Sequence, residues 1–527
     1  MIRLLAPLAL ACLAACGGGG GNAAPTPTTP PTPVTPAGIP YTAGLFQPAS
    51  SFAAQCQAPR TTLNPDTGRA WPDRQGSIAA ENHWLRSWTN DLYLWFDEVP
   101  DRDPSATATT LAYFDLQKTT QTLASGQSKD RFHFTYDTAA YRALSQSGVE
   151  AGYGAQWAVQ ATTPPRRILV AYTEPGSPLA LATPAVGRGA EVLGVDGIDV
   201  INDNTSAGVT TINAGLFPTA AGQTHTLTLR DRGAASTRTV TLQPANVIST
   251  PVQNARVIDT GVGRVGYLLF NDHIATAERG LIDAVNVLKT GQAQDLVLDL
   301  RYNGGGYLDI ASELAYMIAG PARTAGFTFE RLQFNSKHPS TDPVTGVPLA
   351  PQPFLSSTQG FSVTAGQALP TLNLARVFVL TSSGTCSASE SIVNSLRGIG
   401  VEVLQVGANT CGKPYGFYPT DNCGTTYFSI QFRGVNNAGF GDYPEGFSAT
   451  RSTGAAQANL PGCAAADDFA HDLGDANEWQ LKVALNYRST NTCLAATAPA
   501  TGALAAGPEG LPVWLPRTPW RENRVLR

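Results

Sequence analysis

The sequence predicts a multidomain chain in which an α/β domain with βαβ units follows a β-rich domain and a small N-terminal helical domain. Residues 257–487 alternate between apolar strand patterns and helical patterns, which is typical of parallel strands joined by helices. Residues 147–246 hold short strand patterns broken by Gly and Pro, which indicates a β-rich domain. Residues 77–141 carry apolar side chains at helical spacing.

The domain boundaries follow from these changes of pattern. We assign a helical domain to residues 43–146, a β-rich domain to 147–247, an α/β domain to 248–490 and a C-terminal tail to 491–527. In the helical domain four apolar residues recur on one face and are expected to pack in the core, namely Trp84, Trp88, Leu92 and Trp95. Pro100 is expected to stop this helix.

The composition fits a folded chain that does not bind nucleic acid. The 527 residues are 43% hydrophobic and carry a net charge of −5. This length accommodates several domains of ordinary size, each with a hydrophobic core. An acidic balance argues against nucleic acid as a partner, because phosphate binding needs a basic surface.

The N-terminus predicts export and lipid anchoring. Arg3 precedes an apolar run over residues 4–13, which is too short to span a bilayer as a helix. The run leads into Leu13-Ala14-Ala15-Cys16, which resembles the bacterial lipobox, whose cysteine carries the lipid. Residues 1–16 are then a lipoprotein signal peptide, and the Gly/Pro/Thr-rich residues 17–42 are a tether. An ordinary signal peptide with a chance cysteine is the alternative.

This reading predicts a location in the cell envelope. The chain is expected to be lipid-anchored at the outer membrane, facing the periplasm or the cell surface, with the anchor as its only membrane contact. An exported chain with an even number of remaining cysteines is expected to form disulfides among Cys56, Cys386, Cys411, Cys423, Cys463 and Cys493. The turn-rich segment between Cys411 and Cys423 favours that pair. No CxxC or His/Cys cluster is present, so we expect no metal and no cofactor.

Three special segments follow three of the predicted parallel strands. Gly304-Gly305-Gly306 follows the strand 295–301, Ser387 follows the strand 376–381 and opens a helix over 387–396, and Lys413 follows the strand 401–407. Further elements are predicted as a strand over 264–270 and a helix over 307–319. Because the carboxyl ends of parallel strands lie at one edge of a sheet, the three segments are expected to meet there.

The residue types at this edge predict a Ser/Lys site for acyl transfer. The Ser387 hydroxyl needs a base, and Lys413 can act as one only as a neutral amine, so its pKa must fall by roughly three units from about 10.4. Burial beside apolar groups has this effect. The oxyanion is expected at the N-terminus of the helix, with the Ala388 N–H and the N–H of Gly304 or Gly305 as donors.

Simpler interpretations of the same residues remain open at this point. Ser387 can be a helix cap and Lys413 an ordinary turn residue. Ser389 is the nearest rival nucleophile, to which we assign a capping or packing role, and Glu390 is expected to be structural. His133 and His273 lack the surrounding pattern of a Ser-His-Asp site and are expected to have surface or core roles.

The motifs around these residues resemble those of the carboxyl-terminal processing (tail-specific) protease family of serine peptidases. They are Thr385-Cys386-Ser387-Ala388-Ser389-Glu390, Gly412-Lys413 and Asp299-Leu300-Arg301-Tyr302-Asn303-Gly304-Gly305-Gly306. The resemblance covers residues 147–440. It implies a ClpP/crotonase-like protease domain with Ser387 as nucleophile, Lys413 as base, and Ala388 with a loop glycine as oxyanion donors.

The sequence departs from this family at two positions. Family members often carry Gln four residues after the lysine, where this chain has Phe417, and Gln431 is a candidate substitute for orienting the amine. Cys386 stands where better-known members have Ala, and a disulfide there would strain or regulate the site. Asp299 and Arg301 are expected to form an ion pair that shapes the glycine loop.

The β-rich segment resembles a PDZ domain. The motifs are residues 167–172, Glu174-Pro175-Gly176-Ser177-Pro178, Gly187-Arg188-Gly189 and Val195-Asp196-Gly197, with Ala190 where that family has an acidic residue. The resemblance implies that Gly152, Tyr153, Gly154 and Ala155 form the loop that receives a terminal carboxylate. A PDZ fold that only positions the protease domain is the alternative.

The function that follows is a serine endopeptidase that cleaves exported proteins or peptides with exposed tails. A non-catalytic peptide- or ligand-binding lipoprotein that retains the protease fold is the main alternative, favoured by Phe417 in place of Gln. An outer-membrane structural lipoprotein is a third, supported by the tether alone.

Overall fold

A computed structural model of the chain describes residues 39–65, 67–218, 220–450 and 458–495. The predicted signal peptide, Cys16 and the tether up to residue 38 lie outside the described residues, as does the tail from residue 496. In the N-terminal part, the elements are β1 (Gln55–Cys56), β2 (Arg74–Gln75), α1 (Ile78–Leu92), α2 (Thr110–Asp115), β3 (Phe134–Asp137) and α3 (Thr138–Ser147).

The next part of the chain is rich in strands. Its elements are β4 (Val149–Gly152), β5 (Ala155–Ala161), β6 (Arg167–Thr173), β7 (Glu191–Val195), β8 (Ile198–Asp199), α4 (Ser206–Leu216), β9 (His225–Arg230), β10 (Arg238–Leu242) and β11 (Ala245–Ile248).

Strands and helices alternate in the last part. The elements are β12 (Val252–Thr260), β13 (Gly263–Phe270), α5 (Ala277–Thr290), β14 (Asp295–Asp299), α6 (Leu308–Ala319), α7 (Pro321–Thr324), β15 (Thr328–Phe334), β16 (Gln352–Pro353), β17 (Arg376–Thr381), α8 (Ala388–Gly398), β18 (Glu402–Gly407), β19 (Tyr415–Gly416), β20 (Thr420–Asn422), β21 (Thr425–Phe428), β22 (Phe432–Val435), β23 (Ser448–Thr450), β24 (Asn459–Cys463) and α9 (Trp479–Thr490).

A seven-stranded sheet organises this last part. The strand order is β12-β13-β14-β17-β18-β24-β23, in which β12 runs antiparallel to β13 and every other neighbouring pair is parallel. The predicted parallel βαβ arrangement is therefore confirmed. The strand predicted over 295–301 ends at Asp299, and the helix predicted over 387–396 begins at Ala388.

Both faces of this sheet are covered, which explains its long apolar runs. Leu268 and Leu298 face a core that includes α5, α6 and α8. Val265 and Val297 alternate with them and face a second core that includes α9. Side chains alternate along a strand, so a strand between two cores must be apolar at every position.

The segment predicted to be PDZ-like forms its own sheet. Six antiparallel strands lie in the order β10-β9-β7-β6-β5, with β8 paired to β7. Trp157, Val170 and Leu227 belong to a separate apolar cluster beneath it. The structure thus contains a β-rich unit at the predicted place, and its assignment as a PDZ domain stays a prediction.

The expectation of a helical segment over 77–141 is wrong in most of its length. Helix α1 ends at Leu92, ahead of Pro100, because Tyr93 turns into the core and donates its hydroxyl proton to Asp130 at 2.7 Å. Trp84 and Trp88 are buried as predicted, whereas Trp95 lies beyond the helix. The segment also shares a sheet with the α/β part, since β3 pairs with β21.

The disulfides differ from the predicted pair. Cys411 bonds to Cys386, Cys423 to Cys56, and Cys463 to Cys493. The segment between Cys411 and Cys423 does not double back as expected, because Cys423 sits at the turn between β20 and β21 and faces β1. Among the described residues, no helix is long and apolar enough to cross a membrane.

Candidate active site

The three predicted segments meet beyond the carboxyl ends of β14, β17 and β18. The Cys386 N–H donates to the carbonyl of Asn303 in the glycine loop at 3.1 Å. The Cys411 N–H donates to the carbonyl of Thr385 at 2.9 Å. The glycine loop, the Ser387 turn and the Lys413 loop are therefore joined by backbone hydrogen bonds at one edge of the sheet, as the topology predicts.

Ser387 sits on a tight turn between strand and helix. Its backbone has φ 66° and ψ −120°, a conformation that non-glycine residues rarely adopt and that is concentrated at functional sites. It is fully buried at the N-cap of α8. Ala388 is the first residue of the helix, where a backbone N–H has no acceptor within the helix. The turn thus presents a hydroxyl next to a backbone donor and the positive end of a helix dipole.

Glu390 connects the serine turn to the lysine loop. Its Oε2 accepts the Ser387 N–H at 2.9 Å and the Lys413 N–H at 2.8 Å. Its Oε1 accepts from Thr410 Oγ1 at 2.5 Å and from the Gly412 N–H at 2.9 Å. Burial raises the pKa of Glu390, and these hydrogen bonds oppose that shift. The expected structural role of Glu390 is therefore specific: it holds the serine turn and the lysine loop together.

The pattern Ser387-x-x-Glu390 is the signal that could have identified this connection. A Glu at the third helical position reaches back to the N–H of the N-cap residue in the capping box. Here the same carboxylate also holds Gly412 and Lys413, and that second contact has no sequence signature. The Cys386–Cys411 disulfide adds a covalent link between the two loops, with a Cα–Cα distance of 5.1 Å.

Lys413 is fully buried in an aromatic setting. Its Nζ lies over the Phe417 ring at 4.2 Å from the centroid and over the Phe132 ring at 5.0 Å. Gln431 was considered for orienting the amine, and that role stays a prediction. Its Oε1 accepts the N–H of Tyr418 at 2.9 Å, so the amide supports the local backbone.

The glycine loop packs directly on the serine turn. Gly305 has φ 102°, and a Cβ there would lie 2.7 Å from Ser387 Cβ and 2.9 Å from the Ala388 nitrogen. Only glycine leaves this approach to the Ala388 N–H open. The Gly305 N–H itself donates to Asn303 Oδ1 at 2.9 Å, so in this conformation it is not directed at an oxyanion.

The two histidines considered as bases have core roles. His273 Nδ1 bonds to Asn303 Oδ1 at 2.9 Å, behind the glycine loop. Burial lowers the pKa of His273 to about 3, despite that hydrogen bond, so the ring is neutral. His133 is also buried, which lowers its pKa, and it bonds to the Phe114 carbonyl at 2.8 Å. Ser389 donates to the Asn303 carbonyl at 3.1 Å, which gives it a packing role.

The predicted ion pair of Asp299 and Arg301 is present at 2.9 Å, fully buried. Arg301 also contacts Glu478 at 2.7 Å and Asp467 at 2.8 Å. Burial opposes the charge, but the three carboxylates raise the pKa of Arg301 well above its usual value. Arg188 of the β-rich segment reaches the same group through Asp467 at 2.6 Å. The start of the glycine loop is therefore anchored by a buried network of charges.

The predicted peptide-binding loop joins β4, which pairs with β11, to β5 of the six-stranded sheet. Gly152 ends β4, Ala155 begins β5, and Tyr153 is buried between them. Gly154 has φ 75°, and a Cβ there would lie 2.2 Å from Ser177 Cβ. In the described sheet β5 is the terminal strand of the order, beside this loop.

Comparison with known proteins finds similarity to peptidases over part of the chain. Residues 264–417 match Peptidase family S41. A carboxyl-terminal-processing protease of Picosynechococcus sp. (strain ATCC 27264 / PCC 7002 / PR-6) is 28% identical over 282 residues, which are 52% of this chain and 57% of that protein. The chain thus spans little more than half of that relative's length.

One solved structure shows a similar fold, and a second is reported with it. A protein of Bacteroides fragilis NCTC 9343 assigned to the S41 proteases superposes with a TM-score of 0.56 and 23% identity, over 80% of this chain and 100% of the other. The photosystem II D1 C-terminal processing protease gives a TM-score of 0.40 and 18% identity, over 71% and 92% of the two chains. Residues 264–417 are thus similar to Peptidase family S41, and 282 residues of the chain are similar to a carboxyl-terminal-processing protease.

Proposed function

We propose that this chain is a serine endopeptidase in which Ser387 is the nucleophile and Lys413 the general base. One observation carries the proposal: a single oxygen of Glu390 accepts the backbone N–H of both residues, so that the two segments are held side by side. Both side chains are buried at the end of a helix and at the carboxyl edge of a parallel sheet. Burial disfavours the charged amine, which is the condition for lysine to act as a base.

In the proposed reaction the neutral amine of Lys413 takes the proton of the Ser387 hydroxyl as the oxygen attacks the scissile carbonyl. The resulting oxyanion lies at the N-terminus of α8, where the Ala388 N–H donates to it. The glycine loop contributes a second donor from Gly304, or from Gly305 once its N–H leaves Asn303. The ammonium then protonates the departing amine, and water hydrolyses the acyl-enzyme by the same two proton transfers.

The substrates we propose are exported proteins or peptides with exposed tails. The terminal position of β5 in its sheet suits addition of an extended peptide, and the neighbouring loop Gly152–Tyr153–Gly154–Ala155 would supply backbone donors for a terminal carboxylate. The proposed setting is the cell envelope, with attachment through lipid on Cys16. Intact-mass analysis of the mature protein tests this attachment, and an unlipidated N-terminus would exclude it.

A fluorophosphonate probe tests the nucleophile. We expect the purified protein to be labelled on Ser387, mapped by peptide mass spectrometry, and Ser387→Ala to lose both labelling and cleavage of an unfolded protein substrate. Ser389→Ala is the matched control and should still be labelled at Ser387. Cleavage by Ser387→Ala at the parent rate would overturn the assignment. Absence of labelling with retained binding of tail peptides would favour the non-catalytic alternative.

A further inference from the structure

Two aromatic rings flank the amine of Lys413 and come from distant parts of the chain. Phe417 lies four residues after the lysine, and its ring centroid is 4.2 Å from Nζ. Phe132 belongs to the N-terminal part, and its centroid is 5.0 Å from the same atom. Both distances are within the roughly 6 Å over which a ring face attracts an ammonium group. Both rings are buried, so the attraction acts with little screening by water.

The Phe417 ring is held by further aromatic contacts. It packs edge to face against Phe428 at 5.2 Å and against Phe134 at 6.1 Å, and these two rings stack on each other at 4.3 Å. Edge-to-face and stacked pairs have preferred geometries, so the cluster restricts the tilt of the Phe417 ring. The surface that faces Nζ is thus preset by the packing behind it.

The Phe132 ring is held through its own backbone. The Phe132 N–H donates to Asp130 Oδ1 at 2.9 Å. The neighbouring Arg131 donates to the carbonyl of Cys411 at 3.1 Å and to that of Pro444 at 2.9 Å. The segment that carries Phe132 is therefore fastened to the loop that carries Lys413.

We propose that Phe132 and Phe417 form an aromatic cage that positions the Lys413 amine and stabilises its protonated form between the two proton transfers. The proposal rests on the proposed function, because it assigns a role to groups around the general base. The two phenylalanines are positioning residues that act through Lys413. Phe417 stands four residues after Lys413, the position at which similar proteases often have an orienting Gln.

The cage opposes the effect of burial on the amine. Burial favours the neutral form, whereas the negative ring faces favour the ammonium. Loss of a ring face should therefore make the base easier to deprotonate while its orientation becomes looser. Titratable groups near this region include Glu390, Arg131, Asp130 and Tyr415, and their own neighbours are Tyr93, Glu445, Asp442 and Arg433. Substitution of a phenylalanine leaves all of them in place.

The test is the pH dependence of kcat/KM for cleavage of an unfolded protein substrate by the parent, Phe417→Leu and Phe132→Leu. We expect the acid limb of Phe417→Leu to move to lower pH by about one unit, and that of Phe132→Leu by less, because its ring is farther away. On the plateau kcat should fall about tenfold with KM little changed. Phe417→Tyr, which keeps the ring face, should retain the parent limb.

Phe428→Leu is the matched control for packing. This ring is equally buried and touches Phe417, but the cage does not include it. Its loss should lower the melting temperature as Phe417→Leu does, while the acid limb moves by less than in Phe417→Leu, because the Phe417 ring face is still present. Site-specific 4-fluoro- and trifluorophenylalanine at position 417 provide a second measurement that preserves shape. The acid limb should move downward with each added fluorine, because fluorine weakens the ring quadrupole.

The outcomes separate the cage from the proposed function. If the parent cleaves and is labelled but neither the fluorinated residues nor the leucine variants move the acid limb, the cage is overturned and the dyad stands. A limb that moves equally in Phe428→Leu would also overturn it, since packing alone would then explain the shift. A parent that neither cleaves nor reacts with fluorophosphonate would overturn both.

Discussion

Arg301 and Lys413 are two fully buried basic side chains at the same edge of the sheet, in opposite surroundings. The Arg301 guanidinium is bracketed by three carboxylates at 2.7 to 2.9 Å. The Lys413 Nζ lies between two phenylalanine rings. The nearby carboxylate, Glu390, accepts the backbone N–H of Lys413. The guanidinium is paired with carboxylates, and the amine is flanked by aromatic rings.

The difference fits the proposed role of each group. A guanidinium is always charged, so burying it without carboxylates would cost several kcal/mol. An amine that acts as a base must exchange its proton, and a salt bridge would hold that proton in place. The charged network therefore supports the glycine loop, and the aromatic setting keeps the amine able to titrate. Replacing each group by methionine tests this contrast.

Lys413→Met should have the largest effect on activity. The methionine fills the same space without a proton acceptor, so we expect kcat/KM to fall about 10⁴-fold, or roughly 5 kcal/mol on the barrier. The free energy of unfolding should change by no more than about 1.5 kcal/mol, since methionine conserves most of the buried volume. Steady-state cleavage and urea denaturation measure the two quantities. A folded variant that cleaves at the parent rate would contradict the assignment of the base.

Arg301→Met should reduce the free energy of unfolding much more than Lys413→Met does. Removal of the guanidinium leaves buried carboxylates without a counter-charge, and we expect the free energy of unfolding to fall by about 3 to 5 kcal/mol. Activity should fall as well, because the glycine loop follows Arg301 directly. Urea denaturation of Arg301→Met and Lys413→Met gives a matched comparison, because two buried basic residues are replaced by the same residue. If the two variants had equal unfolding free energies, the proposed difference between the surroundings of Arg301 and Lys413 would be contradicted.

Glu390→Gln should have an intermediate effect on both quantities. The amide turns an NH₂ group toward backbone N–H donors that the carboxylate now accepts, which leaves some of them unsatisfied. We expect a loss of about 2 to 3 kcal/mol in unfolding free energy and a 10- to 100-fold loss in kcat. The loss in kcat should exceed any change in KM, because the segments of Ser387 and Lys413 are no longer held together.

Glu330→Gln is the control for this change. Glu330 is also buried beside α8, where it accepts from Ser391 Oγ at 3.2 Å. Burial raises the pKa of Glu330 to about 7, so neutralisation removes little that the fold depends on. We expect stability within about 1 kcal/mol of the parent and unchanged cleavage. A loss as large as that of Glu390→Gln would show that any buried acid near α8 is equally important.

The parts of the site that follow from strand topology were predictable from the sequence. Strands buried on both faces leave continuous apolar runs, and the loops after three such strands contain the glycines, Ser387 and Lys413. The meeting of these loops needs only the rule that parallel strands end at one edge. The Asp299–Arg301 pair was also predictable, because its two members are neighbours in the chain.

The parts that depend on distant side chains were not predictable. Helix α1 ends early because Tyr93 bonds to Asp130, 37 residues away. Cys423 pairs with Cys56 across 367 residues, and local turn propensity carries no information about such a partner. Phe132 reaches Lys413 from the N-terminal part, so the local sequence after the lysine shows only half of the cage.

The smallest predicted effect is the response of the charged network to acid. Burial alone would raise the pKa of Asp467, but Arg188 and Arg301 lower it to about 2. A carboxyl with a lowered pKa in the folded state stabilises the fold above its unfolded pKa of about 3.9, and this stabilisation is lost as the pH falls toward 2. We expect this group to contribute about 2 kcal/mol, removed between roughly pH 4 and pH 2.

The variant Asp467→Asn isolates this contribution from that of the other carboxyls. It should be less stable than the parent at pH 7. The difference in unfolding free energy between the two proteins should narrow by about 2 kcal/mol between roughly pH 4 and pH 2, as measured by urea denaturation at each pH. In Lys413→Met the unfolding free energy should change with pH as in the parent over the same interval, because position 413 does not belong to the charged network. If the difference in unfolding free energy between the parent and Asp467→Asn stayed constant down to pH 2, the arginines would not lower the pKa of this carboxyl. The electrostatic contrast between the surroundings of Arg301 and Lys413 would then be contradicted.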